Sequence, residues 1–463
     1  MFRTLPVAGK VYSNTTYSNE TETRQERGER GGRDMLETLI GIILLLTFVG
    51  FTVYAVKGGN MMIGFLIMAI IWTTLGMIGG VITWEDAQAN VFQGGPESWG
   101  ATAVVVVFGS WFGQVLVKTG VAATIIRKTV ELGGDKPAVT TILLCVVTGL
   151  IFTSTFGAGA VVAIGVIVLP ILLSLGVPKP LAVSGYLMSV GSGMYVNIVL
   201  FKQMQGIFEG FEYDANYLKF GFTAMAIQMF VIILMIIFTL GKKKVNHSWA
   251  ANTGALETGD APAIALFTPL IPVVLAIVFK WQPIPAFIVA SFFALFVTGK
   301  IKSYKDCEKI VSKTFYDGVV DVAGLLGFLF ILPMFNRVAG LNAVFFQGLL
   351  GGIMPKSALL LCVLFAVIAP LGLFRGPLTV FGAGSATLGI LNGLGVFSAT
   401  LLFPLIYIPT ITMNISSCPT QSWNLWAISY TKSNTKDFIK SGVPWGWIIC
   451  ILNSVVVYVM YGM

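Results

Sequence analysis

The chain has 463 residues, 56% of them hydrophobic and only 11% charged, with a mean hydropathy of +0.85 and a formal net charge of +8. A soluble domain carries about 25% charged residues, so this composition cannot cover a water-facing surface and describes an integral membrane protein. His247 is the sole histidine, the five cysteines (Cys145, Cys307, Cys362, Cys418, Cys450) form no CxxC pair, and no Walker loop is present. These facts argue against a zinc site, a disulfide framework or direct use of ATP.

The elements run as follows. Residues 1–34 end in "ETETRQERGERGGRDM", a polar tail of low complexity. It reads either as disordered or as sequence upstream of a natural start at Met35. Glu, Arg and Gly have purine-rich codons, and "ERGGRDM" is what a ribosome-binding sequence would spell if translated. No signal peptide is expected, because the first long apolar run is a full span. Apolar spans are expected at about 37–56, 60–83, 98–117, 137–152, 160–175, 180–198 and 218–241. A polar linker, 242–261, follows. Further spans are expected at about 262–279, 282–298, 317–335, 357–371, 378–393, 396–413, 418–430 and 443–462. Segments with the alternating period of an outer-membrane barrel are absent.

An ordered series of weak similarities divides the chain into two repeats, 35–241 and 262–463. "GGDKPAVTTILLCV" parallels "GGIMPKSALLLCV"; "SGMYVNIVLF" parallels "PTQSWNLWAI"; "NYLKFGFTAMAIQ" parallels "DFIKSGVPWGWII". Charge relates the halves, since cytoplasmic loops carry excess Lys and Arg. Lys242, Lys243 and Lys244 place the linker inside, and "GKIKSYKDCEKIVSK" belongs inside, whereas its first-half equivalent "WEDAQANVFQGGPES" has acids and no base. The acidic loop 202–217 and its lysine-rich partner near Lys432, Lys436 and Lys440 differ in the same way. The expected fold is therefore an all-α integral membrane protein of two inverted-topology repeats, with broken helices and re-entrant hairpins. Inversion puts the N-terminus outside, which suits a start at Met35 better than a tail rich in arginine.

The hairpins are expected at "FTSTFGAG" and "FRGPLTVFGAG". Gly157, Gly159, Gly382 and Gly384 permit a tight reversal, and Ser154, Thr155, Thr379 and Ser385 add hydroxyls beside it. Half-helix starts attract anions and exposed carbonyls attract cations; the alternative is small-residue helix packing. Arg375 is an intramembrane arginine whose planar fork suits a carboxylate, or else a loop residue at the membrane surface. Asn197 and Asn424 occupy matching places. With Thr420, they are candidate substrate contacts, and the alternative is polar glue between helices. Ser192, Ser416, Ser417 and Asp321 are candidates for the coupling ion. Asp321 is read as one turn into its helix after Asp317, where such a residue more often caps or pairs at the helix start. No metal ligands and no cofactor are expected.

Two such halves with glycine-rich tips, "GAGSAT" in the second, resemble the ion transporter superfamily of secondary carriers. "GQVLVKTGVAATIIRKTVELGGDKPAVTTILLCVVTGLIF" is similar to the equivalent region of its gluconate permease and citrate symporter members. The resemblance implies alternating-access transport of a small carboxylate coupled to H+ or Na+, by a homodimer. It also implies a multi-pass protein of the cell (inner) membrane with no enzymatic activity, whose partners are a small-molecule anion and the lipid bilayer rather than nucleic acid. In the family, hairpin tips and adjacent broken helices line the sites. A sodium–proton antiporter is the rival reading, weakened by the scarcity of buried carboxylates.

Overall fold

The structure, a computed structural model, describes residues 24–57, 59–134, 136–205, 212–241, 261–350, 355 and 357–463. Residues 1–23 of the expected tail and 242–260 of the expected linker lie outside the described residues. The described chain is helical throughout. The first half comprises α1 (Arg24–Val56), α2 (Met61–Ile78), α3 (Gly94–Glu97), α4 (Gly100–Lys118), α5 (Val121–Gly133), α6 (Pro137–Phe152), α7 (Ala158–Ser174), α8 (Lys179–Met194), α9 (Ile198–Gln205) and α10 (Ala215–Leu240). The second half comprises α11 (Ile271–Val278), α12 (Pro283–Val297), α13 (Tyr304–Leu341), α14 (Val344–Leu350), α15 (Ala358–Ile368), α16 (Gly384–Leu394), α17 (Ala399–Pro409), α18 (Ser422–Tyr430) and α19 (Thr435–Val457). Among the described residues, seven helices are long and apolar enough to cross a membrane, or eight if a bent pair counts as one span.

Three expectations need adjustment. Residues 24–34, read as the end of a polar tail, are helical and form the first turns of α1. Residues 121–133, which lie between the spans expected at about 98–117 and 137–152, form the helix α5. The span expected at 317–335 lies inside α13, which is 38 residues long and so extends roughly 57 Å at 1.5 Å per residue. Its start is capped at Ser303, whose side chain accepts from the Asp306 N–H. Asp321 is therefore about five turns inside the helix rather than one. The polar turns before it hid this, because their charges break the apolar run while leaving helix propensity intact.

α13 is the spine of the molecule. It packs against α2 and α4, and also meets α3 and α16. Trp111 of α4 donates its indole N–H to Thr314 Oγ1 at 3.0 Å, tying the two helices. α6, α8, α10 and α19 form a second packed group. In both halves two short apolar helices flank a glycine-containing break (α6 and α7, α15 and α16). A broken helix and then one long helix follow (α8/α9 and α10, α17/α18 and α19).

The broken helices have identifiable causes. α8 and α9 bend by 64° around Tyr195, Val196 and Asn197. Asn197 holds the bend open: its Oδ1 accepts from Val199 and Leu200 N–H at 3.0 and 3.1 Å. Its Nδ2 donates to the carbonyls of Phe152 and Thr155 at 3.0 and 3.1 Å. In the second half, α17 contains Pro404 and ends at Pro409, then widens into a π-helical segment, Thr410–Ile415. A proline lacks the N–H that the preceding turn requires, and π segments relieve such faults. The chain then breaks at Cys418 and Pro419 before α18.

Candidate functional site

The first break follows α6. Gly157, with φ +114°, caps the start of α7 without a side-chain hydrogen bond. A Cβ on Gly157 would lie 2.5 Å from Asp321 Oδ2, and one on Gly159 would lie 2.9 Å from Asp321 Oδ1 and 2.8 Å from Gln114 Nε2. The two glycines therefore serve a close approach: they let the α13 carboxylate seat on the backbone of the tip. Gly159 N–H donates to Asp321 Oδ1. Asp321 thus caps a helix start, but that of α7, not of its own helix. An acidic group there is favoured by the exposed N–H groups and the helix dipole.

The second break closes on itself. Ala383 N–H donates to the Arg375 carbonyl at 2.9 Å, and Gly382 and Gly384 N–H donate to the Thr379 carbonyl, each at 3.0 Å. A Cβ on Gly382 would overlap the Arg375 backbone. Val380 N–H donates to Thr410 Oγ1 at 3.1 Å, which anchors the loop to the π segment. Phe374 and Arg375 both hold positive φ, +53° and +59°. This turn points a half-buried Arg375 at the cavity described next. Its guanidinium has no hydrogen bond or ion pair among the described residues.

Both tips open on one cavity of about 710 Å³, within the range of small-molecule sites. Phe156, Gly157 and Ala158 of the first tip line it, as do Arg375 and Phe381 of the second. α13 contributes Asp321, Val322, Gly324, Leu325 and Phe328; the α1–α2 turn contributes Gly59 to Met62; and the second broken helix contributes Ile415 and Pro419 to Trp423. The rings of Phe328 and Phe381 meet at 6.3 Å. Arg375 and Asp321 are the charged residues of this lining.

Of the residues singled out in the sequence, Gly157, Asp321, Arg375 and Thr420 reach the cavity wall. Gly159 stands directly behind it on Asp321. The others are buried in the supporting structure. Ser192 Oγ donates to the Ser189 carbonyl at 2.8 Å, Ser385 Oγ to the Gly382 carbonyl at 3.0 Å, and Ser154 Oγ to the Ile151 carbonyl at 3.5 Å. Ser416 Oγ donates to the Ile411 carbonyl at 2.9 Å and Ser417 Oγ to the Thr412 carbonyl at 3.0 Å, closing the wide π turn. Asn197 is saturated at the first bend. Asn424 Nδ2 donates to the Cys418 carbonyl at 2.8 Å, while its Oδ1 has no partner among the described residues. Thr155 and Thr379, one at each tip, are buried with hydroxyls that have no partner among the described residues.

Sequence reasoning missed Asn60, Phe328, Trp423, Ser110 and Gln114. Ser110 Oγ lies 3.3 Å from Asp321 Oδ2 and donates to the Gly318 carbonyl at 2.9 Å. Gln114 Nε2 stands beside the same contact, 2.8 Å from where a Cβ on Gly159 would lie. A signal for the last two was present: they are the polar side chains of "VVVVFGSWFGQVLV", otherwise an apolar span.

No protein-family model matches the chain. No curated protein matches it either. Among solved structures, the chain is similar to the YdaH transporter of Alcanivorax borkumensis, whose crystal structure is described as revealing an unusual topology. The alignment covers 86% of this chain and 98% of that one, with a TM-score of 0.54 at 15% sequence identity. At that identity the likeness concerns architecture: the chain is a multi-pass helical membrane protein that shares the fold of a transporter.

Proposed function

We propose that the protein is a secondary transporter of a small organic anion, a carboxylate, coupled to H+ or Na+ and working by alternating access. The observation that carries this reading is Arg375: a half-buried guanidinium with no protein partner among the described residues, on the wall of a cavity shared by both glycine-containing tips. An intramembrane arginine without a counter-ion is costly, and a bidentate carboxylate satisfies its fork. Thr420 and Gln421 stand on the same wall to orient the bound anion. Thr155 and Thr379 offer free hydroxyl capacity behind it.

The repeated succession of short pair, broken helix and long helix supports reading the chain as two duplicated halves, 35–241 and 262–463. The opposed loop charges support inversion of one half against the other. In that arrangement the breaks form re-entrant hairpins from opposite faces, and the protein sits in the cell (inner) membrane as a homodimer. A sodium–proton antiporter is the second reading, favoured by one observation: Asp321, a carboxylate within a span, also faces the cavity. Uptake of a panel of radiolabelled carboxylates into proteoliposomes under imposed proton or sodium gradients separates the two. Carboxylate accumulation supports the first reading. Sodium-driven proton flux with no carboxylate moved overturns it in favour of the second.

A further inference from the structure

This inference rests on the transport reading above and concerns what moves with the anion. We propose that the coupling cation is a proton carried on Asp321 Oδ2, and that the first glycine tip is the element that senses it.

The argument is a count of hydrogens. Around Asp321, Oδ1 accepts from Gly159 N–H, with the Gln114 amide group beside it. Oδ2 meets Ser110 Oγ at 3.3 Å. Ser110 has one hydroxyl hydrogen, and at 2.9 Å the Gly318 carbonyl is the better placed acceptor for it. A proton on Oδ2 completes the set: Oδ2–H donates to Ser110 Oγ, which donates to Gly318. Without that proton, the Ser110 hydroxyl must turn from the Gly318 carbonyl to Oδ2. A metal cation fits worse. It needs several oxygen lone pairs, and here N–H and O–H groups converge on the carboxyl.

The same geometry links the proton to the anion. Asp321 and Arg375 line one cavity. When ionised, Asp321 repels a substrate carboxylate that enters the cavity it shares with Arg375. When protonated, it no longer does. By linkage, proton and anion then raise each other's affinity equally. Loading forms one O–H bond at Oδ2 with a proton from water on one side, and release breaks it to water on the other. Few other charges face the group. Asp317 lies one turn earlier on α13, and α2, α7 and α16 contribute no charged residue. Lys118 lies one turn beyond Gln114 on α4, the segment 86–93 brings Asp86 to α13, and the short helix carrying Glu97 meets α13 near Met334, roughly three and a half turns away. Gly159 N–H bonds the carboxyl directly, so the charge on Asp321 acts on the start of α7 and on the tip.

Infrared difference spectroscopy between acid and alkaline pH, on purified protein in sodium-free buffer, tests this without any substrate. The expected result is a protonated-carboxyl C=O band that is lost in Asp321→Asn and shifted in frequency in Ser110→Ala. A band unchanged in both variants, or no band in the wild type, overturns the proposal. Ser110→Ala keeps the test decisive if Asp321→Asn does not fold. In proteoliposomes, a carboxylate that accumulates only with a sodium gradient overturns it as well. A titrating Asp321 with no carboxylate of the panel moved leaves the proton site standing and refutes the carboxylate reading instead.

Discussion

Arg375 offers the most discriminating perturbation, because the structure separates its cost to the fold from its value to the site. Its φ of +59° belongs to the left-handed region, which costs a non-glycine residue about 1–2 kcal/mol. Its guanidinium has no hydrogen bond or ion pair among the described residues, so truncation strands no partner. Arg375→Ala keeps the strained φ and should leave stability nearly unchanged. Arg375→Gly removes the strain but adds roughly 0.5–1 kcal/mol of unfolded-chain entropy. The difference predicts that the Gly variant is more stable than the Ala variant by about 1 kcal/mol. Toward a carboxylate ligand, both variants lose a bidentate pair of charge-assisted hydrogen bonds, about 3–4 kcal/mol together. That corresponds to a fall in affinity of roughly 100-fold to 1,000-fold. Thermal unfolding of purified Arg375→Ala and Arg375→Gly, alongside uptake of whichever carboxylate the wild type accumulates, measures both quantities. Unchanged uptake in either variant, or an Arg375→Gly protein less stable than Arg375→Ala, refutes the reasoning.

Three further outcomes follow from the same geometry. Asn197→Ala should lower stability by about 2–4 kcal/mol, since four buried backbone groups lose their partner; unfolding in denaturant checks this, and a neutral result removes its role at the bend. Gly159→Ala should destabilise the tip by roughly 1–3 kcal/mol in the wild type and by less with Asp321→Ala, because the added methyl meets that carboxyl. A double-mutant cycle on unfolding free energy measures the coupling, and strict additivity counts against the contact. Thr379→Val removes a buried hydroxyl that has no protein partner among the described residues, so stability should hold or rise by up to about 1 kcal/mol while carboxylate uptake falls. Unimpaired uptake would show that the hydroxyl is not used.

How legible this molecule was depends on the length scale of each feature. Composition and span-length apolar runs dictated a helical membrane protein, since few charges and long apolar stretches have no other stable solution in lipid. The first tip was legible too, because Gly157 and Gly159 violate helix rules locally; the fault at Pro404 and Pro409 lies inside the span expected at 396–413 and was not read. The start of α13 was not, because exposed charged turns interrupt hydropathy without interrupting a helix. Nor could sequence distinguish polar residues that support from those that line. Asn197, Ser416 and Ser417 look like ligands in one dimension, yet each spends its hydrogen bonds on backbone groups that the bends leave open. Serine, threonine and asparagine serve either purpose, and only the direction of the side chain decides.

The sequence by itself determined the membrane setting, the helical class and the positions of the two glycine-containing breaks. Only the tertiary structure decided why those glycines are there. The first pair makes room for a carboxylate that is 162 residues away along the chain. The second pair lets a loop close back on the backbone of Arg375 and Thr379. Both are contacts between backbone and a distant or reversed segment, which no local pattern encodes, because the absence of a Cβ records that something approaches but not what.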